Sequence, residues 1–129
     1  MKHSTLMLAV ALVAPMFVSV AQAAAPNDAQ IAAIVVAANQ VDIDAGKLAE
    51  SKASNADVKA FAHRMATDHA DVNKQAVDLV TKLKVTPQDN PTSESLKSGG
   101  EKNIAHLKKL SGAAFDKAYI DHEVTYHEQ

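Results

Sequence analysis

Apolar residues recur along most of this chain at intervals of three and four, the spacing that puts side chains on one face of an α-helix. Between Asp28 and Lys52 they are Ile31, Ile34, Val35, Ala38, Val41, Ala45, Leu48 and Ala49. Asn27 stands before this run as an N-cap, and Gln30, three residues on, completes a capping-box pattern. A second stripe predicts a helix from Asn55 to Lys84: Val58, Phe61, Ala62, Met65, His69, Val72, Ala76, Leu79 and Leu83. Ser54 is its expected cap, with Asp57 at the capping-box position. Such a helix is a rod of about 45 Å. Only Ala53 and Ser54 separate the two, so an antiparallel hairpin is expected.

Pro87, Asn90 and Pro91 mark the stretch from Val85 to Pro91 as a loop. A third helix is expected from Ser93 to Leu110, with Leu96, Ile104, Leu107 and Leu110 as its apolar contacts. Gly99-Gly100 lies inside it, and each glycine costs ~1 kcal/mol against alanine there, which predicts a kink or a thin spot. Ser111-Gly112 reads as the next turn, and a fourth helix begins near Ala113. That helix is expected to be incomplete at Gln129, being short beside its partners and without a C-cap signal at Tyr126 to Gln129. The fold class is all-α, an antiparallel up-down helical bundle.

The first 23 residues change the picture of where the bundle works. Lys2 and His3 form a short basic start, Leu6 to Val20 is apolar, and Ala21-Gln22-Ala23 supplies a small-x-small cleavage site. This predicts a signal peptide over 1–23, a helical-bundle domain over 24–129, and export to the periplasm or beyond the cell. A membrane anchor is the competing reading, but the run is shorter than the ~20 residues a spanning helix needs, and Pro15 interrupts it. No integral membrane segment is expected after cleavage. There is no cysteine, which removes disulfides, thiolate nucleophiles, thiolate metal ligands and a lipid-bearing cysteine after the signal. Setting Lys2 aside from 13 basic and 15 acidic residues leaves a formal charge of −3, with no basic block, so nucleic acid is not an expected partner.

Several short motifs stand in a recognisable order. They are Gly46-Lys47-Leu48-Ala49, then Val58-Lys59-Ala60-Phe61-Ala62, Met65 and Asp68-His69, and later Gly112, Phe115, Asp116, Tyr119 and His127. From Asp28 to Gln129 the chain resembles the bacterial family called domain of unknown function 4142, which is grouped with ferritin-like folds. The resemblance implies an exported bundle with an up-down core and carries no established activity. It also implies further helix beyond the His127 position, with another histidine, in agreement with an incomplete last helix.

Polar groups that fall on the apolar stripes are the candidates for chemistry. Ferritin-like bundles use Glu-x-x-His pairs for metal, and that pattern is absent from this sequence. Asp42 falls between Ala38 and Ala45 on the first stripe, as a half-buried acid at the stripe's edge or as a ligand. His69 lies in register with Met65, Val72 and Ala76, so it needs a hydrogen-bond partner or a metal; a structural bond to Asp42 is the simpler expectation. Glu123 and His127 are four apart on the last helix and share a face, which Asp116 and Ile120 extend. His122 and Tyr126 form a second such pair. His63 and His106 read as surface residues, and Ser51, Ser54 and Ser111 as turn or cap residues.

No nucleophile elbow, phosphate loop or HExxH occurs, so no catalytic residue and no organic cofactor site is assigned. The metal candidates are Asp42, His69, Glu123 and His127, whose donors suit Fe, Mn, Zn or Cu. The leading expectation is an exported binding or stress-associated structural module without enzymatic activity. The alternative is a metal-binding ferritin-like protein, extending to a metal-dependent oxidoreductase. A groove between the first, second and fourth helices is the expected surface for a homo-oligomer or a protein partner.

Overall fold

A computed structural model describes residues 24–129; the segment 1–23, read above as a signal peptide, falls outside the described residues. Four helices follow one another: α1 (Asp28–Lys52), α2 (Ala56–Lys82), α3 (Pro91–Leu107) and α4 (Gly112–His127). No strand occurs among the described residues. None of the helices is long and apolar enough to cross a membrane.

Local chemistry sets the helix boundaries. The Asn27 side chain accepts from the Gln30 N–H at 2.9 Å, and the Gln30 side chain accepts from the Asn27 N–H at 3.1 Å, so α1 starts as the capping box predicts. The expected cap of α2 is wrong by one residue. Asn55 is the N-cap, its Oδ1 accepting from Asp57 and Val58 N–H at 2.8 and 3.2 Å. Ser54 is taken by a different partner: its Oγ donates to Asp116 Oδ2 at 2.6 Å and its N–H to Oδ1 at 2.9 Å.

Pro91 also differs from expectation, since it opens α3 and does not belong to the preceding loop. A proline at the first helical position gives up an N–H that would be orphaned anyway. Asn90 caps it, with Ser93 Oγ accepting the Asn90 N–H at 2.9 Å. The start of α1 anchors this loop, because the Gln88 N–H donates to Ala29 O at 2.9 Å and Asn90 Nδ2 to Gln30 O at 3.1 Å. At its other end α3 stops at Leu107, three residues earlier than expected. Lys52 Nζ there donates to the carbonyls of Leu107 and Lys108 at 3.4 and 2.7 Å.

α1 is the central helix, packed against α2 on one side and against α3 and α4 elsewhere. This overturns the single-stripe expectation. Ala32, Ala33, Ala37 and Ile43 are buried although they lie off the stripe, while Ile31 on the stripe is exposed. The seam with α2 is built from small residues. A Cβ on Gly46 would lie 2.9 Å from Ala62 O and 3.0 Å from Ala66 N, so glycine lets the two backbones approach this closely. Ala62 and Ala66 are the buried residues of α2, and Phe61, Val72, Leu79 and Leu83 fall on its exposed flank.

No break in α3 appears at Gly99-Gly100. Gly100 answers to packing, since its Cβ would sit 2.8 Å from Val41 Cγ2 on α1. The bulkiest core lies at the α1–α2 turn, where Leu107, Phe115 and Tyr119 pack on Ala45, Ala49, Ala53 and Ala62. Its end is closed by Asp116 of α4, which bonds Ser54 and Asn55 just before α2, and the polar cluster lies further along α4.

Candidate metal centre

Three helices bring the sequence candidates together. α1 supplies Asp42, α2 supplies His69, and α4 supplies Glu123 and His127. Asp42 Oδ2 lies 3.4 Å from His69 Nδ1 and 3.9 Å from His127 Nε2. One donor atom from each of these three residues falls within 4.8 Å of the others. Two donors bound to one tetrahedral ion at 2.0–2.2 Å stand about 3.4 Å apart, and the Asp42 Oδ2–His127 Nε2 pair at 3.9 Å is near that spacing. Glu123 lies behind them, with Oε2 3.9 Å from His127 Nδ1 and Oε1 4.0 Å from His122 Nδ1.

The neighbouring hydrogen bonds fix the imidazoles. His127 Nδ1 sits 2.8 Å from the Glu123 carbonyl oxygen. A carbonyl can only accept, so Nδ1 carries the hydrogen and the Nε2 lone pair is turned towards Asp42. His69 Nδ1 is 2.8 Å from Asn39 Oδ1, while Asn39 Nδ2 donates to Val35 O at 2.8 Å. The amide is thereby oriented, and His69 Nδ1–H donates to Asn39 Oδ1, which leaves the Nε2 lone pair of His69 free. The hydrogen-bond partner of His69 is therefore Asn39 and not the expected carboxylate; Asp42 Oδ2 lies 3.4 Å away. Asn39 was not among the sequence candidates, although it sits one turn before Asp42 on the same face of α1.

The carboxylates are far less well served. Asp42 and Glu123 are each 3% exposed, yet Asp42 Oδ1 and both Glu123 oxygens have no hydrogen-bond partner. The Tyr119 hydroxyl and His122 Nδ1 are buried and unpartnered in the same region. Burial, reinforced by the Glu123 charge, raises the Asp42 carboxyl to about 7, against a smaller opposing pull from His127. Burial holds the His69 imidazole below its ordinary value, and His127 adds to this. The Tyr119 hydroxyl is pushed upward and Tyr126 to about 12, both chiefly by burial, so both phenols stay protonated. A buried charge without a partner costs several kcal/mol. A proton shared between the Asp42 and Glu123 carboxyls relieves part of that cost, and Asp42, His69 and His127 are donors of a kind that a divalent metal takes.

The remaining sequence candidates have other duties. Asp116 accepts three hydrogen bonds at the α1–α2 turn and lies away from the cluster. The rings of His122 and Tyr126 stack 5.8 Å apart, and the Tyr126 hydroxyl donates to Ala38 O at 3.1 Å. His63 is exposed and pairs with Glu50 at 2.9 Å, and His106 is exposed. Next to the cluster, a cavity of about 310 Å³ is lined by Ala38, Asn39, Asp42, His69, Leu96, Tyr126, His127 and Gln129.

No curated protein and no solved structure matches the chain. The family described as Domain of unknown function (DUF4142) matches residues 15–129, nearly the whole sequence, and the protein belongs to that family.

Proposed function

We propose that this protein is an exported helical bundle that holds one divalent first-row transition-metal ion with Asp42, His69, His127 and Glu123. The convergence of Asp42, His69 and His127 from three helices to within 4.8 Å carries this reading. The unpartnered buried oxygens of Asp42 and Glu123 support it, because a divalent ion balances two carboxylates and leaves the interior neutral. Two imidazoles with two carboxylates suit Zn, Fe, Mn or Cu. Export rests on the basic start, apolar run and Ala21-Gln22-Ala23 site of the first 23 residues. A ferritin-like relationship is part of this proposal, with the ligand pattern of those folds replaced by a different set.

Elemental analysis and calorimetric titration with Zn(II) test the site. Near-stoichiometric binding is expected, with affinity at least about tenfold weaker in His69→Ala. Equal binding by wild type and His69→Ala would sink the reading. A second reading, a binding or structural module acting through its helix faces, is supported by Phe61, Val72, Leu79 and Leu83 on the exposed flank of α2. Concentration-dependent self-association that a polar substitution at Leu79 abolishes is the outcome expected of that module.

A further inference from the structure

A second hollow lies on the far side of α1 from the polar cluster. Gln40 and Asp44 border it, and each stands two residues from Asp42, so the helical period turns them to the opposite face. All its lining residues come from α1 and α3, and its volume of about 750 Å³ is that of a small-molecule site. The two helices run side by side from a common start, where Asn90 Nδ2 donates to Gln30 O, to a common end, where Lys52 Nζ holds the carbonyls of Leu107 and Lys108. Midway, Gly100 lets α3 close on Val41. The trough follows α1 from Val36 to Leu48, a length of about 18 Å. Val36, Val41, Leu48 and Ile104 give it an apolar bed. Its charges are sorted along that length. Asp44 and Glu101 flank the middle, whereas Lys47 and Lys108 stand towards the α1–α2 turn. Lys97, at the other end, is occupied by Asp89 at 2.7 Å, while Lys47 and Lys108 enter no ion pair among the described residues. This pattern complements an alkyl chain with a single anionic head. The acids repel such a head from the middle and leave the lysine end as its place.

We infer that this trough binds a single-chain amphiphile with a carboxylate head, a medium-chain fatty acid, whose carboxylate pairs with Lys47 and Lys108 while its chain lies on Val36, Val41, Leu48 and Ile104. The site is independent of the metal centre, since the two share no residue. Isothermal titration calorimetry of the full chain with dodecanoate, kept below its micelle concentration, tests it. Saturable one-to-one binding is expected. Decanoate and octanoate should bind about three- to fourfold more weakly for each methylene lost, the worth of a CH₂ withdrawn from water. Dodecyltrimethylammonium, with the same tail and the opposite head, should not bind measurably. Lys47→Gln combined with Lys108→Gln should weaken dodecanoate about three- to tenfold, as two exposed ion pairs allow. Ala105→Trp, at an exposed position on the rim, should block the trough, with helical circular dichroism unchanged. The lysines are surface residues, so their variant tests the site even where the tryptophan disturbs the fold. No binding of dodecanoate, or equal binding of the cationic amphiphile, overturns the site. So does an affinity that ignores chain length, or one that a well-folded Ala105→Trp leaves unchanged. A dimer formed through this face and released to monomer by Ala105→Trp would make a second copy the occupant and overturn the fatty acid.

Discussion

Asp116 and Glu123 stand two turns apart on α4, both buried, and the fold treats them in opposite ways. Asp116 accepts from the Ser54 hydroxyl and from the N–H groups of Ser54 and Asn55, and the Ser54 hydroxyl above all holds its carboxyl below the ordinary range. Glu123 accepts from nothing, and its charge helps to push Asp42 upward. The same helix therefore satisfies one acid completely and leaves the next exposed to the full cost of burial. Charge-assisted bonds at a helix start are a stabilising use of a carboxylate. A buried acid kept without donors is a reservoir of free energy that a cation can draw down.

The largest effect expected is on that first acid. Asp116→Ala removes the acceptor for three donors at the start of α2, and its urea midpoint should fall further than for any change at Asp42 or Glu123. Asp42→Asn in the metal-free protein should be neutral or stabilising at pH 7–8, because it removes a charge that burial opposes. A loss at Asp42 matching that at Asp116 would erase the contrast. The pH dependence sharpens it. Asp42 has a folded value raised from 3.8 to about 7, so the native state binds the extra proton and Asp42 costs stability increasingly as pH rises across that window. Asp116 is lowered, so its contribution is present above its unfolded value of 3.8 and is lost as pH falls through its folded value. The stability difference between wild type and Asp42→Asn, followed by urea titration, should therefore move against wild type between pH 4 and 7. A flat difference would contradict the raised carboxyl.

Two glycines extend the comparison to the backbone at smaller scale. Gly46→Ala forces a Cβ against Ala62 O and Ala66 N in the tight α1–α2 seam, and should cost ~1–3 kcal/mol by thermal melting. Gly99 has nothing within 4 Å of its Cβ position, so Gly99→Ala should gain up to ~1 kcal/mol through helix propensity alone. Equal effects at the two positions would mean that the seam is looser than its geometry.

The boundaries of α1 were readable because Asn27 and Gln30 form a local capping box that needs no tertiary partner. The cap of α2 was not, because Ser54 and Asn55 are both competent and the choice is made by Asp116 from far along the chain. The apolar stripes gave the hairpin but misplaced the burial. Alanine carries little hydrophobic signal, yet Ala32, Ala33, Ala37 and Ala62 fill the contacts, while larger residues such as Leu79 and Leu83 remain outside. The approach of Asp42, His69 and His127 to one another was legible, since helical register puts Asp42 and His69 on their helices' stripes and His127 on the face of α4 that Glu123 shares. Asn39 was passed over because its function depends on an orientation set by Val35 O. The expectation for Gly99-Gly100 failed because propensity cannot distinguish a weak point from a contact point, and Val41 makes Gly100 the latter.

His127 lies in the final described turn of α4. Its Nε2 faces Asp42 on α1, and its ring lies 5.7 Å from that of His69 on α2. An ion held as proposed would tie the His127 turn of α4 to the middle of α1 and α2. Occupancy would then be visible in the amide protons of Val124 to His127, whose exchange with deuterium is expected to slow on loading while that of distant turns is unchanged. The centre would thus report its own filling through the tempo at which a single helical turn opens.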